Sequence, residues 1–149
     1  MALVLARDFK EFLKSFNSNA VEYLLIGGYA VGVHGHVRAT NDLDVWVGIG
    51  SENALRIERA LHQFGFAAPG LTVDLFLSPN NVVRMGVPPI RIEILTSISG
   101  VEFSTCYAER EMVSIEEIMV PVISLVRLRE NKMASGRAKD LADLESLPG

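Results

Sequence analysis

In the stretch ARDFKEFLKSFN, residues 6–17, the large apolar side chains fall at Phe9, Phe12, Leu13 and Phe16. Recurrence every three or four residues is the mark of a helix with one buried face, so the chain opens with an amphipathic helix. VEYLLIG (21–27) is rich in strand formers and stops at Gly27-Gly28. YAVGVHGH then reads as a short helix closed by Gly35, and DLDVWVG (42–48) as a second strand. Ser51 stands in N-cap position ahead of the helix ENALRIERALHQFG, which Gly65 stops.

LTVDLFL and VVRMGV read as short strands around the turn SPNN. IRIEILT (90–96) alternates cleanly after Pro88-Pro89 and predicts a further strand. GVEFSTCYAERE includes a short helix. MVPVIS reads as one more strand, leading into a helix from about Leu125 to Ala134; Gly136 breaks the pattern before a last helix in RAKDLADLESL. There is no repeat, low-complexity segment or linker, and 149 residues suit one domain over 1–149. Helix, mixed strands, then helices predict an α+β (or α/β) fold, a small mixed sheet flanked by helices and covered on one side.

One strand breaks the apolar pattern. Side chains alternate along a strand, so Asp42, Asp44 and Trp46 share one face and Leu43, Val45 and Val47 the other. The second face is wholly apolar and belongs to the core. The first carries two carboxylates whose Cα atoms lie about 6–7 Å apart, from a rise of about 3.3 Å per residue. Like charges at that distance repel, and a divalent cation removes the conflict. Mg²⁺ is commonly held by one or two carboxylates together with substrate phosphates. Glu93 on IRIEILT faces away from Ile92 and Ile94, and joins the aspartates if its strand lies beside theirs. Taken alone, an Asp-x-Asp also suits a capped or solvent-facing strand start. Gly27-Gly28 likewise suits a tight turn, or a place where backbone N–H groups approach a phosphate closely at a helix start.

The ordered set GGYAVGVHGHVRATNDLDVWV resembles the nucleotidyltransferase superfamily, the DNA polymerase beta-like fold, whose pattern is Gly-Gly or Gly-Ser, a short helix, Arg-x-Thr and Asp-x-Asp. Its form is especially similar to small bacterial and archaeal nucleotidyltransferases, including those related to AbiEii-type abortive-infection toxins. The C-terminal NKMASGRAKDLADLESL is similar to that group's helical motif. The resemblance implies that Asp42, Asp44 and Glu93 are the catalytic carboxylates and ligands of Mg²⁺ (or Mn²⁺), in a two-metal mechanism with Glu93 receiving the attacking hydroxyl's proton. It implies that Gly27 and Gly28 grip the nucleotide phosphates, and that Lys132, Arg137, Lys139, Asp140 and Asp143 line the nucleotide side of the cleft. Arg38 and Thr40 precede the acids, and Arg38 either meets a phosphate or pairs with Asp42. Two positions depart from the pattern: Gly28 stands where many members have Ser, and Glu93 where Asp is commoner.

Composition narrows the classes further. Hydrophobic residues make up 49% and charged residues 21%, as in ordinary globular proteins, and no apolar run is long enough to span a bilayer. The N-terminus is too short in apolar residues for a secretory signal, and one cysteine, Cys106, allows no intrachain disulfide; the expected compartment is the cytoplasm. A formal charge of −4 argues against coating nucleic acid. Residues 127–139 nevertheless carry five basic side chains and one acid, either a solvated helix face or triphosphate contacts. Trp46 either packs or stacks on a base. His34 and His36 suit structural or surface roles, and Cys106 a small buried hydrophobe. A mean hydropathy of +0.27 is compatible with a homodimer.

Two readings of function follow. The first is a metal-dependent nucleotidyltransferase moving a nucleoside monophosphate from an NTP to an acceptor hydroxyl on RNA or a tRNA end, a protein or a small molecule. The resemblance implies a place in a toxin–antitoxin pair for such an enzyme. The second, motivated by Gly28 and Glu93, is a catalytically weak nucleotide-binding or protein-interaction module of the same fold.

Overall fold

The computed structural model describes residues 3–66, 73–87 and 90–149. Helix α1 spans Arg7–Ser18 and buries Phe9, Phe12, Leu13 and Phe16, the stripe its spacing predicts. Strand β1 (Tyr23–Ile26) runs directly into helix α2 (Gly27–Val33). Strand β2 (Asp42–Val47) precedes helix α3 (Ser51–Phe64). Strands β3 (Val82–Met85) and β4 (Arg91–Leu95) form an antiparallel pair. Helix α4 (Phe103–Ala108) leads to strands β5 (Glu111–Ile115) and β6 (Ile118–Val122), and helices α5 (Leu125–Ser135) and α6 (Ala138–Ser146) end the chain. Helices α3 and α5 end on left-handed glycines, Gly65 (φ 91°) and Gly136 (φ 65°).

The strands form one six-stranded mixed sheet in the order β3-β4-β2-β1-β6-β5. Two parallel contacts, β2 with β4 and β1 with β6, sit among antiparallel ones. The register sorts the side chains. Tyr23 and Leu25 share a face with Val47 and Val45, whereas Leu24 and Ile26 share the face of Trp46 and Asp44. The first face packs on α1, with Phe16 and Tyr23 edge-to-face at 5.4 Å. On the second, Phe103 of α4 meets Trp46 edge-on at 5.2 Å. All four β1 side chains are buried, so the sheet's centre is covered on both sides, not on one. Each such large side chain removed from water contributes roughly 1.5–3 kcal/mol.

Three local expectations change. The N-cap of α3 is Gly50, and Ser51 is the first helical residue. Val73–Phe76, expected in a strand, form a 3-10 turn instead, while residues 71–72 of that stretch lie outside the described residues. The turn is held by Leu77 N–H to the Asp74 carbonyl (3.1 Å) and by the Asn81 amide to the Leu75 carbonyl (2.8 Å), local bonds that compete with a ladder. Pro88-Pro89 also lie outside the described residues.

The third change is an added strand, β5, which makes a hairpin with the strand expected in MVPVIS, here β6. Its two-residue turn is Glu116-Glu117, both with positive φ (48° and 71°). Such turns usually advertise themselves as Asn-Gly or Asp-Gly, so this one is silent in the sequence. Contacts from α1 and its approach hold it: Leu5 N–H donates to Glu116 Oε2 (2.8 Å), and Lys10 Nζ lies 3.4 Å from Oε1.

Buried Asn53 of α3 fixes the far end of the central strands. It accepts from Glu22 N–H (2.8 Å) and donates to the carbonyls of Glu22 (3.1 Å) and Gly48 (2.8 Å). The opposite end of β2, where Asp42 and Asp44 stand, is left open to a cleft.

Candidate active site

Strands β2 and β4 lie side by side in parallel, with Asp42 opposite Arg91 and Asp44 opposite Glu93. The three acids expected on one face therefore do share it. Together with Gly27, Ser97, Ser99 and Asn131 they line a cleft of about 460 Å³. Lys132, Arg137 and Lys139 from the α5–α6 hairpin form its opposite wall, and Arg84 of β3 stands at its edge.

Asp44 is the acid of β2 that burial perturbs. Burial pushes its carboxyl up to about 6, with further upward pressure from Glu93 and Asp42; Lys139 and Lys132 only partly oppose it. Its Oδ1 is buried without a hydrogen-bond partner. A buried polar atom left unpaired is costly and rare in folded proteins. Gly27 (φ 69°) lies directly against this carboxylate, and a Cβ at that position would collide with Asp44 Oδ2. Gly27 thus serves two needs, a left-handed turn from β1 into α2 and space for the acid.

The neighbouring aspartates are in the opposite condition. Lys132 Nζ is buried between Asp140 Oδ1 (3.0 Å) and Asp143 Oδ2 (3.1 Å). Arg38 grips Asp143 with two bonds, Nε to Oδ1 at 2.8 Å and Nη2 to Oδ2 at 3.0 Å. Arg137 Nε donates to Asp140 Oδ2 at 2.8 Å. Burial alone would raise Asp140, but hydrogen bonds from Arg137, Ser135 and Lys132 outweigh it and hold the carboxyl far below its usual range. Asp143 is likewise lowered, burial being outweighed by Arg38 and Lys132.

This arrangement redistributes the expected roles. Arg38 pairs with Asp143, not with Asp42, because the loop carrying it folds toward α6. The Lys132 ammonium is committed to two carboxylates, so it is a poor candidate for a phosphate contact. Asp140 and Asp143 hold cations in place. Arg137 keeps a largely exposed side chain at the cleft rim, and no ion pair among the described residues engages Lys139. Thr40 Oγ1 donates to the Asp42 carbonyl (3.4 Å) and lies 2.8 Å from where a Gly28 Cβ would stand. Trp46 is 2% exposed and packs on Phe103, so of its two readings the structure uses packing. His34 Nε2 sits 2.7 Å from the Ile123 carbonyl, a structural contact, and Cys106 is buried.

Sequence reasoning missed Arg84, whose Nε donates to Glu93 Oε1 at 3.0 Å. It also missed Asn131, Ser97 and Ser99, which line the cleft. Only Arg84 had a sequence signal, its position in a strand pattern next to the one bearing Glu93.

Compared with known proteins, the chain matches no family model and no curated relative. Its structure superposes on that of a Thermotoga maritima protein described as a "putative nucleotidyltransferase", with a TM-score of 0.65 over 94% of this chain and 89% of that one. The two proteins share one fold. Sequence identity is 17%, so the likeness carries the architecture and no residue-level role.

The cleft's donor set can be tested against a divalent cation. Carboxylate oxygens are the hard ligands that Mg²⁺ and Mn²⁺ take. A buried Asp44 oxygen without a partner, beside a second aspartate and in register with a glutamate, fits a hard cation by chemistry. Among the described residues, no three acidic, histidine or cysteine side chains already converge on a common metal position. No helix among the described residues is long and apolar enough to cross a membrane.

Proposed function

We propose that the protein is a metal-dependent nucleotidyltransferase that moves a nucleoside monophosphate from an NTP to an acceptor hydroxyl and releases pyrophosphate. The observation that carries this is the unpartnered, buried Oδ1 of Asp44 in a cleft that the nucleotidyltransferase fold opens at the end of β2. Asp42 and Asp44 would hold Mg²⁺ or Mn²⁺, with Glu93 as the third carboxylate. When bound, the cation would neutralise the triphosphate and make the attacking hydroxyl more acidic.

The remaining work falls to the chain itself. Gly27 and Gly28 keep the turn between β1 and α2 free of side chains, so backbone N–H groups can approach a phosphate. Lys139 and Arg137 supply positive charge from the α6 side of the cleft. Glu93 would accept the acceptor's proton. Lys132, Asp140, Asp143 and Arg38 anchor the loop leading into Asp42 to α6, and so position the aspartates. A toxin–antitoxin setting, an RNA, protein or small-molecule acceptor, and a homodimer extend the proposal. They rest on the resemblance, or for the dimer on hydropathy alone.

Calorimetry with ATP, GTP, CTP and UTP, with and without Mg²⁺, tests the site on wild type and on Asp42→Asn and Asp44→Asn. Binding that requires both metal and aspartates is expected. Label transfer from the preferred NTP should then fall at least ~100-fold in Asp44→Asn, the scale of losing a preorganised electrostatic group. Full transfer by Asp44→Asn would sink the enzymatic reading. Metal-dependent binding without transfer to any acceptor would favour the weak-module reading, which the engagement of Glu93 by Arg84 supports.

A further inference from the structure

Glu93 is not free. Arg84 stands directly opposite it in the antiparallel β3–β4 register, and its Nε donates to Oε1 at 3.0 Å. Arg91, two residues back on β4, brings Nη1 to 4.0 Å from the same oxygen. Oε2 has no hydrogen-bond partner among the described residues. The Arg84 side chain is 64% exposed, whereas the Lys132 ammonium across the cleft is sealed between two aspartates. The Glu93 side chain is 18% exposed, but the guanidinium end of the pair is open to water, which screens it and lets it separate at modest cost. Arg84 also lines the same cleft as Gly27 and Lys139, so a freed guanidinium stays within reach of whatever fills it.

Resting on the reading of this cleft as a divalent-metal nucleotide site, we propose that Arg84 is an exchangeable counter-ion. It holds Glu93 in the metal-free protein and passes to a phosphate of the nucleotide when Glu93 turns to the cation. Charge balance motivates the exchange. A divalent cation among the three carboxylates supplies most of the positive charge they need, so Glu93 can exchange the guanidinium for the cation. A triphosphate brings negative charge to the same cleft, and the planar guanidinium fork binds phosphate oxygens in pairs.

The exchange predicts shifts of opposite sign. Mn²⁺ alone, and then the manganese complex of inorganic tripolyphosphate, would be titrated by calorimetry into wild type, Arg84→Gln, Arg84→Lys and Asp44→Asn. Each Arg84 variant would also be made with Arg91→Gln, so that the second arginine cannot take over. Arg84→Gln should bind Mn²⁺ alone about two- to five-fold tighter, because a weak competing ion pair is gone. It should bind the tripolyphosphate complex about ten-fold weaker, because a charge-assisted hydrogen bond is lost. Arg84→Lys should recover part of that loss as a point charge. Unchanged melting temperatures would confirm intact folds.

A merely structural surface pair moves both affinities the same way or neither, and either result overturns the inference. If wild type binds Mn²⁺ through Asp44 and Arg84→Gln changes nothing, only this inference falls. If Mn²⁺ binds no variant, the metal-site reading falls with it.

Discussion

Two sets of acids, one lining the cleft and one buried behind its α5–α6 wall, are in opposite electrostatic states. Asp140 and Asp143 are buried but saturated, with Lys132 between them, Arg137 on one and Arg38 on the other. Asp44 is half-buried with one oxygen unpartnered, between Ile26 on β1 and Glu93 on β4. The same residue type is driven below its usual range in one place and above it in the other. Burying a carboxylate is costly unless cations and donors meet it, and the fold meets that cost on α6 while leaving it unmet on β2. A structural pair completes itself. An incomplete site of this kind marks a place where something from outside can bind selectively.

The largest effect should come from breaking the complete side. Lys132→Met removes the cation that Asp140 and Asp143 share and leaves two buried carboxylates with only their peripheral arginines. Removing one partner of a buried ion pair costs about 3–5 kcal/mol, to be read from urea unfolding at pH 7. The pH dependence has a defined sign. Both acids have folded values below the unfolded 3.8, so their contribution is present above that value and disappears as pH falls through the folded ones. Wild type should therefore lose stability below about pH 4, and Lys132→Met should lose less of it there. A variant as stable as wild type would mean the cluster is not what fastens α6 to the sheet.

The incomplete side should respond in the other direction. The Asp44 carboxyl is raised from 3.8 to about 6, so the folded state favours its protonated form. Its stabilising contribution is full below about 3.8 and is lost as pH rises through 6. At pH 7.5 without metal, the ionised carboxylate strains the fold, and Asp44→Asn should stabilise it by about 1–3 kcal/mol, the equivalent of one to two pKa units. Melts in chelator at pH 7.5 and at pH 3.5 check this, since the gain should vanish at the lower pH. Destabilisation by Asp44→Asn at pH 7.5 would mean that the carboxylate has a partner, and the contrast between the two sides would collapse.

Much of this was legible in the residues because periodicity dictates faces. Alternation in DLDVWV and RIEIL put Asp42, Asp44 and Glu93 on sheet faces before any strand neighbour was known, and the parallel β2–β4 register brought those faces together. What was not legible is which charges find each other. A basic run looks the same whether its lysine points into solvent or into a pair of aspartates eight and eleven positions on, and only the α5–α6 packing decides that Lys132 is buried. Arg38 and Asp143 are 105 residues apart, beyond any local rule. Strand β5 and its turn onto the expected β6 escaped because that turn is made of glutamates held by contacts from α1.

The seam between the two sides is Gly28, and it gives the finest test. A Cβ there would stand 2.8 Å from Thr40 Oγ1 and 3.3 Å from Arg38 Nη1. Thr40 is tied to the Asp42 carbonyl and Arg38 to Asp143, so the position touches both groups of acids at once. Gly28 adopts an ordinary helical conformation, so Gly28→Ala should cost only the steric conflict, about 1 kcal/mol at the low end of overpacking. Because Thr40 Oγ1 is the nearest atom, the penalty should shrink by half or more in a Thr40→Ala background, a coupling that a double-mutant cycle reads directly. A serine at this position would meet the same obstacle. Here the Thr40 hydroxyl already fills the space beside Gly28, and additive penalties in the cycle would show instead that the threonine yields freely and that the seam is loose.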